Sequence, residues 1–175
     1  RASERYFKNK KTKEYTKEEV GYLIYFIKDV KDENYKYFVT DKAEIIKLVP
    51  EQSYTDFGNQ IKMSKIMEDA IDEKSKSIKE AQFLAQATPL IGAEAASKSL
   101  DQLKINYYEI SDNFPLYEKT ALKYYQNPET FPVTEMLKAA WIFSEKATNK
   151  ESLKTAATWA EKIVMQGETA ENTYI

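Results

Sequence analysis

The chain contains no cysteine and no histidine. The first absence removes disulfides, thiolate nucleophiles and thiol-based zinc ligation. The second removes the side chain that most often carries protons near neutral pH. Together they exclude Cys-His and Ser-His-Asp catalytic sets and any thiol redox step within these 175 residues. They leave the compartment undetermined by disulfide logic. Glycine (4) and proline (5) are scarce and fall at breaks in the apolar pattern, which favours helices. No apolar run approaches the ~18 residues that mark a membrane-spanning helix. Nor is there an excess of one charge. With 26 basic and 28 acidic residues the net charge is −2, which argues against a general nucleic-acid binder. No secretory signal is visible. Because the first residue is Arg1, the chain is expected to be a mature or excised segment, so the missing signal does not locate it.

What is present is a 42% hydrophobic content, enough for a sizeable core, and 13 tyrosines. The length fits one domain, or two small ones fused through a continuous helical array. Most tyrosine rings are expected to pack between helices with the hydroxyl at the surface. The alternative is a tyrosine-lined groove for a peptide or a sugar.

Near the start, Lys8, Lys10, Lys11 and Lys13 form a basic run, flanked by Glu4 and Glu14, that reads as a solvated helix end and loop. Thr16 and Glu19 have capping-box spacing. They open a helix with Val20, Leu23, Ile24, Ile27 and Val30 on one face. Tyr22, Tyr25 and Phe26 widen its apolar surface, so contact on two sides is expected. After a break at Lys31–Asn34, Tyr35, Phe38 and Val39 make a short helix. Asp41 and Glu44 repeat the capping-box spacing before Ile45, Ile46, Leu48 and Val49, and Pro50 ends that segment.

A long helix is expected from Ser53, with Phe57, Ile61, Met67, Ala70 and Ile71 inward. Asp69, Asp72 and Glu73 cluster near its end. Paired carboxylates can act as acid and base or hold a hard cation. The spacing and central glycine of a calcium loop are absent, and the interleaved Lys65, Lys74 and Lys76 fit a solvated face better. The next helix carries Ile78, Ala81, Leu84 and Ala85, and Thr88-Pro89-Leu90-Ile91-Gly92 reads as the clearest loop. Ala96, Leu100, Leu103, Tyr107 and Ile110 then follow at helical spacing. Asp112–Pro115 turns the chain, Tyr117, Ala121, Tyr124 and Tyr125 mark the partner helix, and Asn127-Pro128 closes it.

The last quarter, Thr134 to Ile175, is the most strongly patterned. Leu137, Ala140, Trp141 and Ser144 share one helical face; Leu153, Ala156, Ala157, Ala160 and Val164 share another. Small residues, Ala139, Ala140, Ala156, Ala157 and Ala160, permit close helix approach, with Trp141, Phe143 and Trp159 expected to fill the space beside them. Both tryptophans are thus expected in the core between the two helices. A shift of 35 residues aligns Tyr108 with Phe143, Ala121 with Ala156 and Tyr124 with Trp159, so 93–126 and 134–166 read as successive hairpins.

This hairpin resembles a tetratricopeptide repeat, whose period is about 34 residues. Ala156 and the run Ala160-Glu161-Lys162 stand where that family has a small residue and an Ala-Glu-Lys-like run. On the same resemblance a further helix is expected near Glu171, with Tyr174 as its aromatic. The chain departs from the pattern in its turn, Asn149-Lys150, and in having Gln166-Gly167-Glu168 in place of a terminal proline. Over most of its length, through KDENYKYFVTDKAEIIKLVP (31–50), ALKYYQN (121–127) and AAWIFSEKATNKESLKTAATWAEKIV (139–164), the chain also resembles tetratricopeptide-like helical regions C-terminal to thioredoxin-family domains of Bacteroidetes envelope proteins. The redox Cys-x-x-Cys of those proteins has no counterpart here.

The expectation is therefore an all-α chain of antiparallel hairpins, stacked as a degenerate tetratricopeptide-like right-handed array. Its parts are an N-terminal helical region (1–92) and tetratricopeptide-like hairpins (93–175), forming one continuous domain. No catalytic, cofactor-binding or metal-binding residue is assigned. The expected role is a non-enzymatic scaffold or protein/peptide-interaction module. Its partner would be a protein or peptide, and the resemblance implies a periplasmic or envelope setting beside a thioredoxin-like domain of the same polypeptide. The alternatives are a tyrosine-rich glycan- or small-ligand-binding domain and a carboxylate-dependent enzyme. No nucleic-acid partner and no membrane span are expected.

Overall fold

The computed structural model describes residues 2–10, 12 and 14–171. Helices account for 76% of the chain, in ten segments, with one two-stranded sheet among the described residues. The all-α expectation holds at that level. Two compact units are present, Arg1–Ser97 and Lys98–Ile175.

In the first unit, α1 (Ala2–Lys8) leads through a loop to α2 (Lys17–Phe26). The capping box forms as its spacing requires. Thr16 Oγ1 accepts from the Glu19 amide at 3.2 Å, and Glu19 Oε2 accepts from the Thr16 amide at 2.8 Å. The helix stops earlier than its apolar stripe, with Ile27 extended at its end. The carboxylate of Asp32 captures the amides of Lys28 (2.7 Å) and Asp29 (3.0 Å), giving them partners outside a helix. The chain then enters α3 (Glu33–Thr40) and the single turn α4 (Lys42–Ile45). The second capping box does not form. The Asp41 side chain makes no cap bond and instead accepts from the Tyr15 hydroxyl at 2.7 Å, so a tertiary contact takes the oxygen that local spacing had reserved.

Val20, Leu23, Ile27, Phe38, Ile45 and Ile61 join Phe7 in one core. Phe38 is its hub. It stacks on Tyr54 with ring centroids 4.2 Å apart, meets Phe57 edge-on at 5.2 Å, and leans over Gly58. Its own carbonyl accepts from the Tyr54 hydroxyl at 2.9 Å, so the tyrosine is held at both ends.

The long helix α5 (Glu51–Ala70) starts two residues before the expected Ser53, directly after Pro50, whose fixed φ suits a helix entry. It turns through β1 (Ile71–Asp72) and β2 (Ser77–Ile78), which pair antiparallel with Ile71 opposite Ile78. α6 (Glu80–Ile91) runs back along α5. Two expectations fail here. Thr88–Gly92 is not a loop. α6 continues through Pro89, and Gly92 alone ends it, at φ +81 with its amide bonded to Thr88 O at 2.9 Å. Proline near a helix end forfeits little when Gly supplies the left-handed stop. Also, the buried face of α6 is Phe83 and Ala87, while Ala81 and Ala85 point to solvent.

α7 (Ala93–Ile110) carries the chain across the unit boundary. Its buried side chains include Leu100, Ile105 and Tyr108. Ile110, expected inward, is 84% exposed. The helix ends in a Schellman motif: Asp112 is left-handed (φ +54), its amide bonds Glu109 O at 3.1 Å, and the Asn113 amide bonds Tyr108 O at 2.9 Å. α8 (Phe114–Tyr124), a 3-10 turn at Pro128–Thr130, α9 (Val133–Lys146) and α10 (Lys150–Glu171) complete the second unit. Its core is an aromatic ladder. Phe114 meets Phe143 at 5.7 Å, Phe143 meets Trp159 at 5.1 Å, Trp159 meets Tyr125 at 5.6 Å, and Tyr125 meets Phe131 at 4.9 Å. α10 runs unbroken to Glu171, so Gln166-Gly167-Glu168 is not a break and no new helix begins before Glu171. Tyr174 lies outside the described residues.

Candidate interaction surface

The carboxylates that offered a chemical site are used for local structure. Asp69 pairs with Lys65 at 2.7 Å, and Lys65 also reaches Glu68 at 3.1 Å. Asp72 Oδ1 accepts from the amides of Lys74 (3.1 Å) and Ser75 (3.3 Å), folding the turn between β1 and β2. The hydrogen bonds from Ser75 hold the Asp72 carboxyl below its ordinary pKa, which suits a turn-forming carboxylate rather than a proton donor. Glu73 sits exposed in that turn. Among the described residues no three Asp or Glu side chains converge as a metal site would require.

Of the basic run, Lys8 is exposed and Lys10 is drawn into the structure. Lys10 reaches Glu19 Oε1 at 2.5 Å, with its side chain only 14% exposed, and lies over the Tyr15 ring at 5.1 Å. Lys11 and Lys13 lie outside the described residues. Glu19 also accepts from the Tyr6 hydroxyl. The Lys10 bond first, and the Tyr6 bond second, hold the Glu19 carboxyl down at about 2. This triad was not legible in the sequence, where Glu19 showed only its capping role. Beside it, Tyr6, Phe7, Tyr22 and Phe26 line an open aromatic recess of about 400 Å³ with Ser3. Tyr22 (63% exposed) and Phe26 show that the second apolar side of α2 is a free surface, not the second packing contact expected.

The largest departure from expectation is at the terminal hairpin. The two sequence stripes do converge. Leu137, Ala140, Trp141 and Ser144 of α9 face Leu153, Ala156, Ala157 and Ala160 of α10. They do not make the core. They line an open groove of about 340 Å³, with Trp141 66% exposed. The core is built instead from the adjacent stripe, Met136, Ala139 and Phe143 on α9 with Trp159 and Ile163 on α10. Trp159 is therefore placed as expected and Trp141 is not. The physical reason is that α9 carries apolar residues over two adjoining stripes, and each helix face is buried only if an element lies over it.

The groove is walled by large apolar side chains and floored by small ones. Leu137 (45% exposed) and Trp141 stand on one wall and Leu153 (37%) on the other. Ala156 is buried at the base. A third recess, of about 230 Å³ near the ends of α7 and α9, has a mixed polar and aromatic lining, in which Glu109 pairs with Lys138 at 2.6 Å and Asp112 with Lys146.

No protein-family model, curated protein or solved structure matches this chain. Among the described residues no helix is long and apolar enough to cross a membrane.

Proposed function

We propose that this chain is a non-enzymatic helical interaction module that binds a protein or peptide through the α9–α10 groove. The observation that carries the reading is the solvent-facing tryptophan, Trp141, set in an apolar trough between α9 and α10. Exposed apolar surface of this kind is stable in water only at a thermodynamic cost, and tryptophans in central pockets are the commonest anchors of protein interfaces. The missing Cys and His remove thiolate and imidazole chemistry, so an enzymatic reading would have to rest on carboxylate, lysine, hydroxyl or phenol groups. The test is Trp141→Glu in the intact chain. Helical signal and melting should match the parent, while binding to partner proteins captured by the parent should fall at least tenfold. Unchanged binding would refute the groove.

A second reading is favoured by the recess beside α2, which Tyr6, Tyr22 and Phe26 line together with Glu19. Aromatic faces with a fixed polar group are the usual composition of a sugar site. Titration with an oligosaccharide panel, repeated on Tyr22→Ala, separates the two. From the sequence resemblance we also propose an envelope setting and work beside a thioredoxin-like domain. An upstream reading frame without any Cys-x-x-Cys would remove that part of the proposal and leave the interaction module intact.

A further inference from the structure

We infer that the recess near the ends of α7 and α9 is a binding site for a guanidinium group carried on a short aliphatic stem. The site is separate from the α9–α10 groove and does not depend on it. Its centre is Tyr117. This side chain is 2% exposed and lines the recess, yet its hydroxyl has no hydrogen-bond partner among the described residues. The next tyrosines along the chain are partnered: the Tyr125 hydroxyl donates to Glu135 at 3.0 Å and the Tyr124 hydroxyl to Gln102. Burial first, then the Glu109 and Glu135 carboxylates, push the Tyr117 pKa well above its ordinary value, so the phenol stays protonated and neutral. A buried polar group without a partner is rare in a folded chain, and costly unless water or a ligand supplies one. Ser111 Oγ and Glu118 Oε1, on the same stretch of chain, are also buried without a partner.

The charges around Tyr117 decide what its partner is. Three carboxylates, Glu109, Asp112 and Glu145, line the recess against one ammonium, Lys146. Lys146 pairs with Asp112 and Lys138 with Glu109, while the exposed Glu145 has no counter-ion among the described residues. The excess is one negative charge, so an anion is repelled and a cation that donates hydrogen bonds is favoured. A bare metal ion does not fit, because no three carboxylates converge among the described residues. A guanidinium does. Its planar fork of five N–H groups suits acceptors that stand apart, here the Tyr117 oxygen and the Glu109 and Glu145 carboxylates, and its face stacks on aromatic rings such as that of Phe114. The volume of about 230 Å³ lies below the ~300–1,000 Å³ of drug-sized pockets, which restricts the occupant to one such group and its stem.

The experiment is titration of the full chain, its tyrosine rings isotope-labelled, with propylguanidinium, followed by NMR of the Tyr108 and Tyr117 ring signals. Propylurea serves as the neutral isostere and propylammonium as the compact cation. The expected result is saturable binding of propylguanidinium that shifts both rings and weakens about fivefold or more on Tyr117→Phe and on Glu145→Gln. Binding should also weaken between about 50 and 500 mM salt. Tyr117→Phe removes an oxygen that bonds nothing, so its thermal melt should match the parent. If it perturbs folding, the exposed Glu145→Gln carries the test. A pentapeptide with one central arginine separates the sources of the group. Binding about tenfold tighter than that of propylguanidinium assigns an arginine side chain of a peptide, and equal binding assigns a free guanidine; both support the site. Equal binding of propylurea would overturn the cation, and tighter binding of propylammonium would overturn the guanidinium. Binding indifferent to both variants would overturn the location, and no saturation by about 50 mM propylguanidinium would overturn the site itself.

Discussion

The two tryptophans make opposite predictions, and comparing them tests the packing of the terminal hairpin. Trp159 is 3% exposed and meets two rings edge-on, Phe143 at 5.1 Å and Tyr125 at 5.6 Å. Truncating a buried tryptophan to alanine costs about 3–5 kcal/mol through lost transfer energy and the cavity left behind. Each favourable ring pair is worth about 0.5–1.5 kcal/mol beyond the area it buries, which places Trp159→Ala in the upper part of that range. Against a total stability of about 5–15 kcal/mol this is a large share. With a urea dependence of about 1 kcal/mol per molar for a small unit, the midpoint should fall by about 3–5 M. Trp141, 66% exposed with one side open to the groove, should lose no more than about 0.5 kcal/mol on the same change. Urea unfolding followed by circular dichroism measures both. Fluorescence gives an independent check: Trp141→Phe leaves only the buried emitter and should shift emission to the blue, and Trp159→Phe should shift it to the red. Equal destabilisation by the two alanine variants, or reversed emission shifts, would refute the assignment of core and groove.

Glu19 should contribute an acid-sensitive part of the stability of the first unit. Its folded pKa of about 2 lies below the unfolded value of about 4.3, so the stabilisation is complete above the unfolded value and disappears as pH falls from there towards 2. With its carboxylate near the surface, the effect should be about 1 kcal/mol, and Glu19→Gln should flatten that limb of the stability profile measured by denaturant titration. The glycines separate in sign. Gly21 lies in α2, where an added Cβ would meet nothing within 4 Å, so Gly21→Ala should stabilise by about 0.5–1 kcal/mol. Gly92→Ala, at φ +81, should destabilise by about 1–2 kcal/mol, and thermal melts of the two variants check both signs. Ala156→Leu, at a position 4% exposed between α9 and α10, should cost about 1–3 kcal/mol by overpacking, read from the same melts.

Local sequence was sufficient for the helical class and for the first helix cap. The helical class follows from apolar spacings of three and four and from the scarcity of glycine and proline. The Thr16–Glu19 box formed because both partners lie within one turn and no tertiary contact competes for Thr16. The turn after α7 followed from its polar residues, whereas Lys150, read as part of the turn before the last helix, is already the first residue of α10. Tertiary structure decided the remainder. Asp41 had the spacing of a cap, but Tyr15, 26 residues away, took its oxygen. Pro89 looked like a loop, yet Gly92 three residues on lets the helix finish beyond it. On α6 and α7 the apolar residues spread around too much of the helix for periodicity to separate Phe83 from Leu84, or Ile105 and Tyr108 from Ile110. The clearest case is α9, where Met136, Ala139 and Phe143 form one stripe and Leu137, Ala140 and Trp141 the next. Periodicity reports that a helix has an apolar face. It does not report which neighbour arrives to cover it, and only packing against α8 and α10 made Phe143 core and left Trp141 in water.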